Sequence, residues 1–91
     1  MRKETGGFAI SKAGHDKGKL YAVIGYREGK YLLADGRLRT LEKAKPKKEK
    51  HLQFIHAQDE RLAELIRGGK PVRNEDVKRA IKLYQAKVPT K

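Results

Sequence analysis

The chain of 91 residues contains no cysteine. It therefore has neither a disulfide framework nor a thiolate zinc site, and its stability has to come from packing. Long apolar runs are also missing: the longest, Leu20 to Ile24, falls far short of the roughly 20 residues that span a bilayer. The charged opening Met1-Arg2-Lys3-Glu4 leads into no signal-type hydrophobic region. Together these absences give the expectation of a soluble, cytoplasmic protein without a membrane partner. There is no internal repeat and no long low-complexity tract, and a chain this short fits one domain with little material to enclose an active site.

Acidic residues are scarce too, 11 against 23 Lys and Arg, for a formal net charge of +12. Such an excess calls for a polyanion. Nucleic acid leads, because Lys and Arg release the counterions condensed on phosphates, a term that dominates sequence-independent affinity; an anionic membrane surface is the weaker candidate. Up to Ala57 there are 14 basic and 6 acidic residues, and beyond it 9 and 5, so the excess is +8 and then +4.

The apolar pattern divides at the same place. Phe8 to Lys12 and Leu20 to Gly25 read as two strands around a polar turn, Ala13 to Lys19. Tyr31 to Ala34 is a third strand. Asp35-Gly36 then predicts a type I′ turn into a strand Arg37 to Leu41, with Leu38 and Thr40 on one face and Arg37, Arg39 and Leu41 on the other. Glu42 to Lys50 carries five lysines around Pro46 and reads as a mobile basic loop, since proline opposes regular pairing. His51 to His56 resumes a strand. About five short strands with close turns suit a small barrel or sandwich.

After Ala57 the period becomes helical. Leu62, Leu65 and Ile66 follow Gln58-Asp59-Glu60, and Gly68-Gly69 supplies a stop. Past Pro71, Asn74 is placed to cap a second helix, with Glu75 and Asp76 at the positive end of its dipole and Val77, Ala80, Ile81 and Tyr84 as one apolar stripe; Pro89 closes it. Its other face shows Lys78, Arg79 and Lys82, which either touch phosphate or, as is more usual, form the solvated side of a surface helix. The expected outline is mainly β with an α tail (α+β), one unit over 1–57 and a helical extension over 58–91 packing on it.

The segment Ser11-Lys12-Ala13-Gly14-His15-Asp16-Lys17-Gly18-Lys19-Leu20-Tyr21-Ala22-Val23-Ile24 resembles the KOW motif, Gly18 matching its hallmark glycine. Ala34-Asp35-Gly36-Arg37-Leu38-Arg39 and the lysine run ending Lys50-His51-Leu52-Gln53 extend the likeness to the KOW barrel of archaeal and eukaryotic ribosomal large-subunit protein fourteen and its bacterial relatives, over roughly residues 7–57. The resemblance implies an SH3-like barrel whose KOW loop and neighbouring basic loops contact ribosomal RNA or sit at an RNA–protein junction. Some KOW proteins instead bind transcription complexes.

Independently of that likeness, Lys12, Lys17 and Lys19 flank Gly14 and Gly18, so ammonium groups and close backbone amides can share a phosphate; alternatively the glycines only permit positive φ in a hairpin. The candidate RNA-binding set is Lys12, Gly14, His15, Lys17, Gly18, Lys19, Arg37, Arg39, Lys43, Lys45, Lys47, Lys48 and Lys50. Arg37 and Arg39 offer planar forks to phosphate, or keep an edge strand soluble. Tyr26 is the tyrosine placed to stack on a base, although aromatics in so small a fold are more often core partners.

Enzyme readings fare poorly. Gly14 to Leu20 has three residues between its glycines and Leu20 after the lysine, where a Walker phosphate loop needs four and then Ser or Thr. His15-Asp16 has no accompanying nucleophile. His51 and His56 would face opposite ways on a continuous strand, against a shared metal site. The expectation is a non-catalytic RNA-binding protein with no cofactor and no small-molecule substrate. Two rivals are a protein–protein adaptor docking through Val77, Ala80, Ile81 and Tyr84, which requires that stripe to be exposed, and charge-driven DNA binding.

Overall fold

The computed structural model describes residues 4–87. Five strands, β1 (Gly7–Ser11), β2 (Leu20–Arg27), β3 (Lys30–Ala34), β4 (Lys45–Lys47) and β5 (Leu52–Gln58), form one antiparallel sheet in the order β4-β3-β2-β1-β5, with a single 3₁₀ turn, Glu49–His51, before β5. Helices α1 (Glu60–Arg67) and α2 (Asn74–Lys87) follow. This is a small α+β protein. The hydrogen-bonded order is open, β4 and β5 each having one sheet neighbour.

The period of two along each strand builds two apolar layers. Phe8 and Ala22, opposed in register, and Ala34 face the helices, where they meet Leu62 of α1 and Val77 and Ala80 of α2. Phe8 also stacks on Tyr84, ring centroids 4.7 Å apart. Ala9, Tyr21, Val23, Tyr31, Leu33 and Leu52 lie on the other face, which no helix covers, yet all are buried. Curvature explains this. Tyr31 of β3 meets Phe54 of β5 with ring centroids 4.9 Å apart, whereas three strand spacings in a flat sheet would separate them by roughly 14 Å. The sheet thus curls until its own side chains fill the concave face.

The stripe Val77, Ala80, Ile81 and Tyr84 is consumed by this packing: the first two residues are fully buried and the others lie partly buried against the same cluster. The stripe is thus turned toward the sheet, without the full exposure that the adaptor reading requires. Among the described residues no helix is long and apolar enough to cross a membrane.

Several local expectations need correction. Residues 35–44 contain no strand, so Arg37 to Leu41 does not form a hairpin with β3. The partner of β3 is instead Lys45-Pro46-Lys47, with Leu33, Leu32 and Tyr31 opposite them in register. Proline is tolerated there because β4 is an edge strand, and the lysine segment is to that extent ordered rather than a mobile loop. Asn74 does not cap α2: its Oδ1 accepts from Leu41 N at 2.8 Å, while Asp76 Oδ2 accepts from Arg73 N at 2.9 Å. Helix α1 is capped by Asp59, a cap not assigned from the sequence, whose side chain accepts from Leu62 N. Pro89 lies outside the described residues.

Candidate functional site

Residues directly opposite in an antiparallel pair share a face. Lys45 and Lys47, paired with Leu33 and Tyr31, therefore point to the concave side, where the turn after β1 brings Asp16 to meet them. Asp16 Oδ1 accepts from Lys47 Nζ (2.7 Å) and Ser11 Oγ (2.9 Å), and Oδ2 from Tyr21 OH (2.9 Å) and Lys45 Nζ (3.1 Å). A carboxylate has about four lone-pair sites, and here each is occupied. Burial alone would raise the Asp16 carboxyl, but hydrogen bonds from Lys47, Tyr21, Ser11 and Lys45 outweigh it and hold the group well below the usual carboxylate range. Conversely, burial and the bond to Asp16 push the Tyr21 phenol up to about 12.

Lys47 is equally saturated. Its ammonium donates to Ser11 Oγ (2.6 Å), Asp16 Oδ1 (2.7 Å) and the Ala13 carbonyl (2.8 Å), and its side chain is 10% exposed. The short Ser11–Lys47 distance has the spacing of a nucleophile and its base, but an ammonium with all three protons engaged beside a carboxylate has no lone pair to accept another. Of the lysines named from the sequence, Lys47 thus has all three protons committed to closing the turn, while Lys45 reaches the same carboxylate through one ion pair and keeps part of its side chain exposed.

The second aspartate is organised differently. Asp35 Oδ1 accepts from Arg37 N (2.8 Å) and Arg39 N (2.9 Å), the Arg39 carbonyl accepts from Asp35 N (2.9 Å) and Gly36 N (3.1 Å), and Asp35 Oδ2 pairs with Lys19 Nζ at 2.8 Å. Such local side-chain bonds compete with strand pairing, which is why this segment closes on itself. Burial works against the ionised form of Asp35, but Lys19 and the two amides prevail and keep its carboxyl below the ordinary value. Because the aspartate is satisfied largely by backbone, the guanidinium groups of Arg37 and Arg39 stay exposed and carry no ion pair among the described residues.

Gly36 then sets where these arginines go. At φ +80° it lies so close to the start of α2 that an added Cβ would stand 2.6 Å from the Asn74 carbonyl oxygen. The loop is thereby seated on the helix, opening a groove of about 700 Å³ lined by Lys19, Leu20, Asp35 and Arg37 on one side and Lys78, Arg79, Ile81, Lys82 and Gln85 of α2 on the other. Five cations line one trough. Its one carboxylate, Asp35, is already engaged by Lys19 and two amides. The helix residues, read from the sequence as a solvated face, thus stand across a groove from two members of the candidate set. A glycine just before two arginines was the available signal; nothing local said that it would meet a helix some forty positions away.

The remaining candidates are distributed elsewhere. Lys12, Gly14, His15, Lys17 and Gly18 are exposed on the turn after β1, with Gly14 and Gly18 at φ +86° and +88°, so the hairpin requirement for positive φ is real there. The Lys12 amide donates to the His51 carbonyl at 2.8 Å, setting this turn beside the segment bearing exposed Lys48 and Lys50. Lys43 is exposed on the 35–44 segment. Tyr26 is 39% exposed and lies edge-on to Tyr31 at 4.8 Å, more a cross-strand partner than an open platform. Exposed basic residues also occur away from both regions, at Arg27 and Lys30 in the β2–β3 hairpin and at Arg61, Arg67 and Lys70 on and after α1. The positive charge therefore covers more than one face.

No family model matches the chain, and no curated protein matches it.

Proposed function

We propose that the protein is a non-catalytic RNA-binding protein of the KOW type, ribosomal or ribosome-associated, that holds the phosphate backbone of structured RNA in the groove between the 35–39 loop and α2. The observation that carries this reading is the convergence of Lys19, Arg37, Lys78, Arg79 and Lys82 on one trough whose carboxylate is internally satisfied. Cations on two facing walls suit a continuous polyanion better than a compact ligand, and phosphate contacts of this kind fix register and orientation without chemistry. The exposed lysines of the turn after β1 and of residues 48–50 extend the positive field along the same chain. The SH3-like KOW barrel belongs to the same proposal: five antiparallel strands, the curl of the sheet and the positive φ of Gly18 support it, and the open strand order is where the chain departs from a closed barrel.

The test is the salt dependence of binding to a structured RNA. For the R37A/K82A variant, the slope of log Kobs against log salt is expected to flatten by about 0.7–0.9 for each phosphate that is no longer neutralised, while K45A, which removes an internally paired lysine, leaves the slope unchanged. An unaltered slope for R37A/K82A removes the groove from the interface. Competition between structured RNA and duplex DNA at matched salt decides between RNA and charge-driven DNA binding.

A further inference from the structure

Leu38 is the most exposed large apolar side chain among the described residues, at 80%, against 39% for Tyr26 and 40% for Leu83. A lone exposed leucine on a floppy loop would be ordinary in itself. This one is held on a tip whose base is fixed at both ends. Asp35 binds the amides on either side of it, the Arg39 carbonyl closes the loop, Gly36 is wedged against α2, and the Leu41 amide is tied to Asn74 at 2.8 Å. The ordering that binding would otherwise require is completed when the chain folds. The two immediate neighbours, Arg37 and Arg39, are exposed cations, and Arg37 also lines the basic groove.

An apolar point between two cations matches a ligand with apolar faces inside and anionic groups outside. Nucleic acid has that layout, and where bases are unstacked, at bulges, loops and helix ends, a base face is open to contact. Aliphatic side chains such as leucine are used as wedges against base steps. Resting on the RNA reading above, we infer that Leu38 is an apolar wedge that packs against an unstacked RNA base while Arg37 and Arg39 take the flanking phosphates. Lysine and arginine side chains in the groove would then supply affinity, and Leu38 the preference for an interrupted helix over a continuous one.

The experiment compares two hairpin RNAs of equal charge closed by the same compact, internally stacked tetraloop, one with a continuous stem and one with a single unpaired 2-aminopurine in its stem, bound by the wild-type protein, L38S, L38M and R37A/K82A. The wild type is expected to favour the bulged hairpin about tenfold or more, the equivalent of one leucine side chain leaving water, and to change the 2-aminopurine fluorescence. L38S loses the preference and the fluorescence change but keeps the wild-type salt slope; L38M retains both. Leu38 is exposed enough that neither variant threatens folding. If Leu38 serves a protein partner instead, L38S keeps both RNA readouts, which overturns the inference and leaves the groove intact on its own R37A/K82A arm. A wild-type protein that binds neither hairpin overturns the RNA reading and this inference together.

Discussion

Asp16 and Asp35 each sit in a turn, and each binds lysine, but they treat charge in opposite ways. Asp16 draws Lys45 and Lys47 inward from β4 and adds two hydroxyls, so Lys47 is withdrawn from the surface and Lys45 is ion-paired beside it to brace the fold. Asp35 takes one lysine and commits its other oxygen to main-chain amides, so the side chains of Arg37 and Arg39 remain on display. The difference teaches that a count of basic residues is not a map of an interface. What matters is whether the carboxylate nearby is satisfied by side chains or by backbone.

The sharpest way to break this comparison is to delete each carboxylate. D16A leaves the little-exposed Lys47 ammonium without a counterion, and losing one member of a buried pair is expected to cost about 3–5 kcal/mol. D35A removes two amide caps and an ion pair that is partly exposed, with a smaller expected loss of about 1–3 kcal/mol. Urea denaturation measures both; equal losses would erase the distinction.

Next in size are the glycines that shape the two turns. G36A combines an unfavourable φ with a clash against the Asn74 carbonyl and should reach the top of, or exceed, the range of about 1–3 kcal/mol for a non-glycine residue held there. G18A meets the same φ restriction but nothing within 4 Å, so its effect belongs at the bottom of that range. Thermal melts of the two variants check the order.

The mildest probe is pH. The Asp16 carboxyl lies below its ordinary 3.8 in the folded chain, so its contribution is complete above that value and is lost as pH falls beneath it. Tyr21 runs the other way. Its phenol is raised from 10.0 to about 12, so its contribution is complete below pH 10 and fades as pH climbs from 10 to about 12. In Y21F the alkaline decline of the urea midpoint should be smaller, and an unchanged decline would exclude Tyr21 as its source.

Much of the architecture was legible because it is local. Short apolar runs bounded by polar turns marked β1, β2, β3 and β5, and the helical spacing of Leu62, Leu65 and Ile66 behind Gln58-Asp59-Glu60 marked α1. The fourth strand was misplaced for two physical reasons. Asp35 closes its own loop through side-chain bonds, overriding the hairpin that Asp-Gly suggests, and an edge position admits Pro46 where an interior strand would not. In the candidate site, Lys19 and Arg37 were named from the sequence, and Lys45 and Lys47 were named although Asp16 holds them. Neither that ion pairing nor the approach of Gly36 to α2 has a sequence-local signature, since both depend on how the curled sheet brings distant segments together.

Pro46 also bears on how molecules of this protein behave when crowded. Opposite residues in an antiparallel ladder alternate between pairs that exchange bonds and pairs whose polar groups turn outward. A residue without an N–H cannot be of the first kind, so the Leu32–Pro46 pair is of the second, and at the very position where β4 would offer a donor to a newcomer there is none. A strand from another molecule trying to extend the ladder on this side would meet a three-residue margin, a missing donor and two neighbouring lysines already committed elsewhere, which makes this border a poor seed for fibrillar growth.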